Sequence, residues 1–295
     1  MIRYSISLAD LTTAIEHEKR GWMLRAKERT DTFRSLGKYQ ETSTIWSEVK
    51  PAYMRLQGDA KCAYCERKLE ALVYGKVEQD VEHFRPKGNV KAWRVRKSLT
   101  DAGVRVTLVP ESKGGYYLLP YHPFNYAAAC KPCNSVLKRD YFPISKNYDL
   151  GNDDPAVLIS ELPLLIYPIG DFDADPETLI QFTGLSPQPV APAGYPRHRA
   201  LVTIDFFKLD DPIQRKNLFR ERAAILLALF GQLEKMHGDG TDQEKARAKA
   251  VVEAYQHDSA PHANCARSFV RLFANAPDQA RTFFDKAVDF ISSMS

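Results

Sequence analysis

Four cysteines in two pairs of identical spacing constrain this chain more than any other feature: Cys62-Ala-Tyr-Cys65 and Cys130-Lys-Pro-Cys133. A two-residue gap folds into a tight knuckle that aims both thiolates at one point. Two knuckles together supply the tetrahedral four-sulfur shell that Zn²⁺ prefers. Redox dithiols usually come singly, beside a thioredoxin-like βαβ pattern, and buried structural cysteines have no reason to repeat one spacing. The 64 residues between the pairs exceed what a simple zinc ribbon needs, so a sizeable insert separates the two halves of one metal site. Cys265 has no such partner and reads as a small buried apolar residue.

A shell filled by four sulfurs is closed and structural, so any chemistry needs other residues. The insert contains Val81-Glu82-His83-Phe84-Arg85-Pro86-Lys87, and the second knuckle runs straight into Asn134. Glu82 and His83 offer a hard oxygen ligand and a base side by side. A neutral imidazole can take a proton from water near pH 7, and Asn134 adds a neutral oxygen ligand. A Mg²⁺-type ion with few protein ligands keeps positions for water and phosphate. These are the requirements of phosphodiester cleavage.

The charge distribution agrees. The formal net charge is only +4, but residues 61–146 carry 16 Lys/Arg against 8 Asp/Glu, a local net of +8. Residues 147–211 carry 3 against 11, a local net of −8. The densest basic cluster is Lys91-Ala-Trp-Arg-Val-Arg-Lys97, where Lys91 and Arg94 are candidate phosphate contacts and Trp93 either stacks on a base or is buried. Arg85, Lys87, Lys138 and Arg139 are further nucleic-acid candidates, each equally readable as a solvated charge. With 44% hydrophobic and 26% charged residues the composition is that of a globular protein. No apolar stretch approaches the roughly 18 residues that cross a bilayer, and the start of the chain lacks a signal-peptide core. A reducing cytoplasm and no membrane are therefore expected.

Four regions follow: a helical one over 1–60, the metal-binding module over 61–146, a proline-rich acidic irregular segment over 147–210, and a helical one over 211–295. In the first, Leu11, Ile15, Trp22, Leu24 and Phe33 form a core-facing stripe that Trp46, Val49, Tyr53 and Leu56 continue. In the module, Tyr116–Leu119 reads as a short strand and a helix starts near Cys133. Ala156–Ile159 and Leu162–Tyr167 are further short-strand candidates. Asp211-Pro212 reads as a helix start, and Gly238-Asp-Gly240 as a helix break.

The ordered set Cys62/Cys65, Glu82-His83, Pro86-Lys87, Asn125, Cys130-Lys-Pro-Cys133-Asn134 and Lys138 resembles the zinc-knuckle HNH endonucleases. The resemblance implies an α+β fold: a ββα-metal HNH nuclease module with a four-cysteine zinc site, flanked by mostly helical regions. It implies that His83 is the general base, that Glu82 and Asn134 bind a catalytic Mg²⁺ or Mn²⁺, and that Asn125 braces the loop presenting His83. Glu82 departs from the Asp often found before the histidine. Cys62–Glu66, Glu82–Lys87, Asn134–Lys138 with Phe142-Pro-Ile144, Glu161–Leu165 and Thr203–Leu209 look similar to the HNH nucleases of Septu and retron-type anti-phage systems. That subgroup implies a nuclease effector with an ATPase partner. The chain has no phosphate-binding GxxxxGK[ST] loop of its own. DNA ranks ahead of RNA as substrate. The alternatives are a tRNA-cleaving or other RNase effector, a stand-alone restriction-type enzyme, and a non-catalytic zinc-dependent binding module.

Overall fold

The computed structural model describes residues 1–71, 74, 79–109 and 114–293. The fold is α+β, dominated by helices, with two small antiparallel sheets among the described residues. Helix α1 (Leu8–Glu18) starts at a capping box in which Ser7 and Asp10 satisfy each other's backbone N–H groups. Helix α2 (Trp22–Leu36) ends at Gly37, whose φ of 64° is the left-handed conformation of a helix stop. A 3₁₀ turn (Trp46–Val49) leads into α3 (Lys50–Leu56). The core-facing stripe holds at Leu11, Ile15, Trp22 and Phe33, all buried, but Leu24 is 64% exposed. Leu24 lies two positions after Trp22, about 200° around the helix, so both cannot face one core.

The module forms around strand β1 (Gln79–His83) and strand β2 (Tyr126–Cys130), paired antiparallel with Glu82 opposite Ala127 and His83 opposite Tyr126. All of β2 is buried, and its three consecutive alanines allow close approach from both sides. From one side comes Gln57 at the end of α3. Its side chain accepts from Ala128 N and donates to Ala128 O at 2.9 and 2.8 Å, standing in for a third strand. Helix α4 (Lys97–Asp101) lies in the insert. Beyond β2, Pro132–Lys138 winds as a π-helix, which matches the helix expected near Cys133. Tyr116–Leu119 is a turn rather than a strand: Leu119 N bonds back to Tyr116 O at 2.9 Å, and Tyr116 N is taken by Pro86 O. Its apolar run is buried, but as the inside of a bend.

The acidic segment is more ordered than its prolines imply. Val157–Glu161 forms a 3₁₀ turn where a strand was expected, and the Leu164–Tyr167 run is buried. Short α5 (Pro176–Leu179) leads into a hairpin of β3 (Ile180–Thr183) and β4 (Ser186–Pro189), followed by the 13-residue helix α6 (Gly194–Phe206). Helix α7 (Lys216–His237) starts four residues later than expected. Asp211 caps instead the preceding turn, accepting from Ile213 N and Gln214 N. Helices α8 (Asp242–Gln256), α9 (Ala263–Asn275) and α10 (Pro277–Ser292) complete a bundle with α7, and α7 ends at Gly238 as expected.

Two apolar cores result. One runs continuously from Met1 through the module to α6 and Leu218, so the first three sequence regions share it. The other lies inside the α7–α10 bundle, around Leu226, Leu229, Phe230 and Phe269, and includes buried Cys265. Among the described residues no helix is long and apolar enough to cross a membrane.

Candidate active site

The four knuckle cysteines are buried, and their sulfurs all lie within 4.8 Å of one another. The first knuckle closes through Glu66 N to Cys62 O at 3.0 Å, which puts Glu66 at a φ of 59°. Cys130 N donates to Cys62 Sγ at 3.4 Å and Arg215 Nη2 to Cys133 Sγ at 3.5 Å. Four thiols with charge-stabilising donors around them can hold one zinc ion. No position in that shell is left for substrate.

Beside it opens a cavity of about 730 Å³ whose floor is β1 and the start of the π-helix. Glu82, His83, Lys87, Asn134 and Arg139, all singled out in the sequence, line it together. His83 is only 8% exposed. Its Nε2 sits 3.1 Å from Pro120 O, which also accepts from the Tyr126 hydroxyl. A carbonyl only accepts, so Nε2 carries the proton and Nδ1 is the basic nitrogen. Burial, reinforced by the Lys87 charge, pushes the imidazole well below its usual value, so it is neutral near pH 7.

Glu82 is the more strained partner. Burial pushes its carboxyl up to about 7, against the pull of Lys138 and Lys87. Lys138 Nζ is 3.2 Å from Oε1, an ion pair that offsets only part of the cost of that burial. Glu82 lines the cavity, and a carboxylate in that position suits a cation. Asn134 Nδ2 donates to Asp80 at 2.9 Å, so Oδ1 is the atom Asn134 can offer. Asp80 went unrecognised in the sequence. Strand periodicity was the available signal: two residues before Glu82, it lies on the same face of β1. Its carboxylate gathers Asn134, Lys131 at 2.8 Å and Ser135 at 3.3 Å, tying β1 to the π-helix.

Asn125 lies outside the cavity. Its Oδ1 accepts from Arg85 N at 2.7 Å, and its Nδ2 donates to Arg85 O and Leu119 O at 3.0 Å each. It thereby fixes the chain just after His83.

Two expected phosphate contacts are corrected. Arg85 is fully buried, ion-paired to Glu161 at 3.4 Å, donating to Leu158 O and enclosed by the rings of Phe84, Tyr116 and Phe142. Lys138 is equally buried beneath the site, on Glu82. Neither presents a charge to a ligand. Lys87 does line the cavity, with Nζ 4.3 Å above the Trp46 ring. Lys91 is exposed and paired with Asp140 at 2.8 Å, while exposed Arg94 lines a separate surface groove with Arg96 and Lys97. Trp93 packs on Phe206 at 5.4 Å, which favours its buried reading. His122 takes a packing role too: its Nδ1 accepts from Phe124 N at 3.1 Å, away from the cavity.

No family model matches the chain, and no solved structure matches it. The chain is 30% identical over 124 residues to the Septu protein PtuB of Bacillus mycoides (strain KBAB4). The matched stretch is 42% of this chain and 35% of that protein, so the chain spans about a third of the relative's length.

Proposed function

We propose that the chain is a metal-dependent HNH-type endonuclease that hydrolyses phosphodiester bonds in nucleic acid, DNA ahead of RNA. We further propose that it serves as the nuclease component of an ATPase-coupled anti-phage system. The observation that carries the reading is the pairing, in one cavity, of a buried neutral imidazole with a buried carboxyl beside an Asn134 amide. Similarity to a Septu protein supports the defence setting and, through the subgroup resemblance, the ATPase partner.

In this reading the four thiolates hold a structural zinc that fixes the end of β2 and the π-helix, and so fixes Asn134. Glu82 and Asn134 would hold Mg²⁺ or Mn²⁺, which would supply positive charge to a phosphodiester oxygen. His83 accepts a proton from water at Nδ1 while Pro120 O holds Nε2–H and thereby the ring angle. Asp80 holds the Asn134 amide with its oxygen available. Lys87 and Arg139, on the cavity wall, meet the phosphate, and Lys91 and Arg94 extend the contact outside. A partner surface on α7 would draw on its exposed cations. Arg222 is buried, donating to Leu185 O and Leu209 O, and Arg215 is engaged with Cys133, which leaves Lys216 and Arg220 exposed.

The test is His83→Ala, which removes the base and leaves the zinc shell untouched. Cleavage of plasmid DNA and of tRNA is measured with Mg²⁺ or Mn²⁺, with and without the co-expressed ATPase. The rate on the true substrate is expected to fall by about 10² to 10⁴ while fold and nucleic-acid binding persist. Unchanged cleavage by the variant would refute the assignment, and preference for tRNA would turn it into an RNase.

A further inference from the structure

Trp46 sits outside the 61–146 module, on the 3₁₀ turn of the N-terminal region, yet it lines the same cavity. Its ring meets the His83 ring in a T-shaped contact at 5.1 Å and 84°, and Lys87 Nζ lies 4.3 Å from its centroid. Lys87 is half-buried, and its ammonium lies over aromatic rings, Trp46 and Tyr39 at 5.8 Å; among the described residues it feels Glu82, Asp140 and Glu41 but forms no ion pair with them. A partly desolvated ammonium over an indole face is attracted by the ring quadrupole. It also keeps its net charge for an anion, which a salt bridge would neutralise. Trp46 itself is held rigidly: Ile45 O accepts from the fully buried Trp22 indole at 3.0 Å, and Ile45 N donates to the Tyr121 hydroxyl at 3.3 Å. Tyr121 immediately follows Pro120, whose carbonyl orients His83.

We infer that Trp46 is a positioning residue of the nuclease site, setting the His83 imidazole through the T-shaped ring contact and aiming the Lys87 ammonium, which lies over its ring, at substrate phosphate. The N-terminal region is thus part of the catalytic unit. This rests on the proposed nuclease function, and the first measurement below is independent of it. One ring touches both the group that handles water and the group that meets the anion. Displacing it disturbs both at once, and a displacement of about 1 Å is enough to cost roughly 10²-fold in rate.

The first measurement is the His83 Nε2–H resonance by NMR in the full-length chain. It is expected to exchange slowly with solvent in the parent protein and in Trp46→Phe, and rapidly in Trp46→Leu, which fills space without a ring. Equal exchange in all three overturns the positioning role whatever the protein cleaves. The second is cleavage kinetics on the substrate identified with the parent. Trp46→Leu is expected to lose about 10- to 100-fold in kcat and to raise KM several-fold, and Trp46→Phe to recover to within about fivefold of the parent. Should Trp46→Leu fail to fold, Trp46→Met replaces it with the same expectation. Phe and aliphatic variants of equal activity overturn the inference.

Discussion

The two cores of this molecule are built on opposite terms. The bundle core of α7–α10 is a set of leucines, phenylalanines and alanines, and Arg222 is its buried charge among the described residues. The core around the knuckles encloses Lys61, Glu66, Glu82, His83, Arg85, Lys138 and Glu161, each 8% exposed or less. Burying an ion costs several kcal/mol unless a partner answers it, so such a density of charge is a standing expense for stability. Most of it is answered. Glu66 shows how: burial alone would raise its carboxyl, but the Met1 ammonium at 2.5 Å and Lys61 bring it down to about 2. Glu82 goes the other way. The contrast teaches where to look. In a core that pairs its charges, the carboxylate whose burial outweighs its cation, and which lines a cavity, marks the site.

The largest expected effect breaks the comparison at its root. If the knuckle core depends on zinc rather than on apolar burial, Cys133→Ser should abolish folding of that half, giving insoluble or unstable protein. Elemental analysis should find about one zinc per parent chain and little in the variant. A soluble Cys133→Ser protein with unchanged circular dichroism would remove zinc from the account.

A pair of substitutions sharpens the contrast at the next level. Arg85→Met leaves the Glu161 carboxylate buried without its cation and should cost about 3–5 kcal/mol. Leu229→Ala, fully buried in the bundle, should cost about 2–5 kcal/mol through lost contacts and a cavity. The sizes overlap, and the rescue separates them. Adding Glu161→Gln to Arg85→Met removes the orphaned charge and should return most of the loss in urea melts, whereas the hole left at Leu229 stays. No recovery in the double variant would mean that the aromatic cradle, rather than the ion pair, holds Arg85.

The sequence makes the metal shell and the order of the cavity residues legible because each is written in neighbouring positions. A two-residue spacing between thiols, a carboxylate beside an imidazole, and an asparagine after a knuckle are local facts. What it hides depends on distant partners. Arg85 and Lys138 look like free cations until Glu161 and Glu82 are seen beside them, 76 and 56 positions away along the chain. Trp46 reads as one more apolar residue on a helical stripe, since nothing local ties it to His83. The same limit explains the fold. Tyr116–Leu119 has the composition of a strand, but its backbone groups are claimed by Pro86 and by its own turn. The prolines after Pro155 suggest irregularity, yet most fall at turns and element ends, and a 13-residue helix follows them.

The smallest effect tests whether a histidine outside the cavity behaves unlike His83. Burial pushes His122 down to about 4, with Asp154 and Asp153 pulling weakly upward. Its folded value is therefore below the unfolded value of about 6.5. Between those two values the unfolded chain binds a proton that the folded chain does not, so stability rises with pH across the window. The contribution of His122 is fully present above about pH 6.5 and is lost as the pH falls toward 4. Because the side chain is only half-buried, the loss at pH 5 is discounted to about 1 kcal/mol, or roughly 2–4 °C in Tm for a chain of this size. His122→Asn keeps an acceptor for Phe124 N and removes the titration. The variant is expected to match the parent or fall slightly below it at pH 7, and to gain about 2–4 °C relative to it at pH 5. Parallel Tm curves across that range would place the His122 imidazole in contact with solvent or with Asp153 and Asp154, and would leave the cavity histidine as the one whose neutrality the fold enforces.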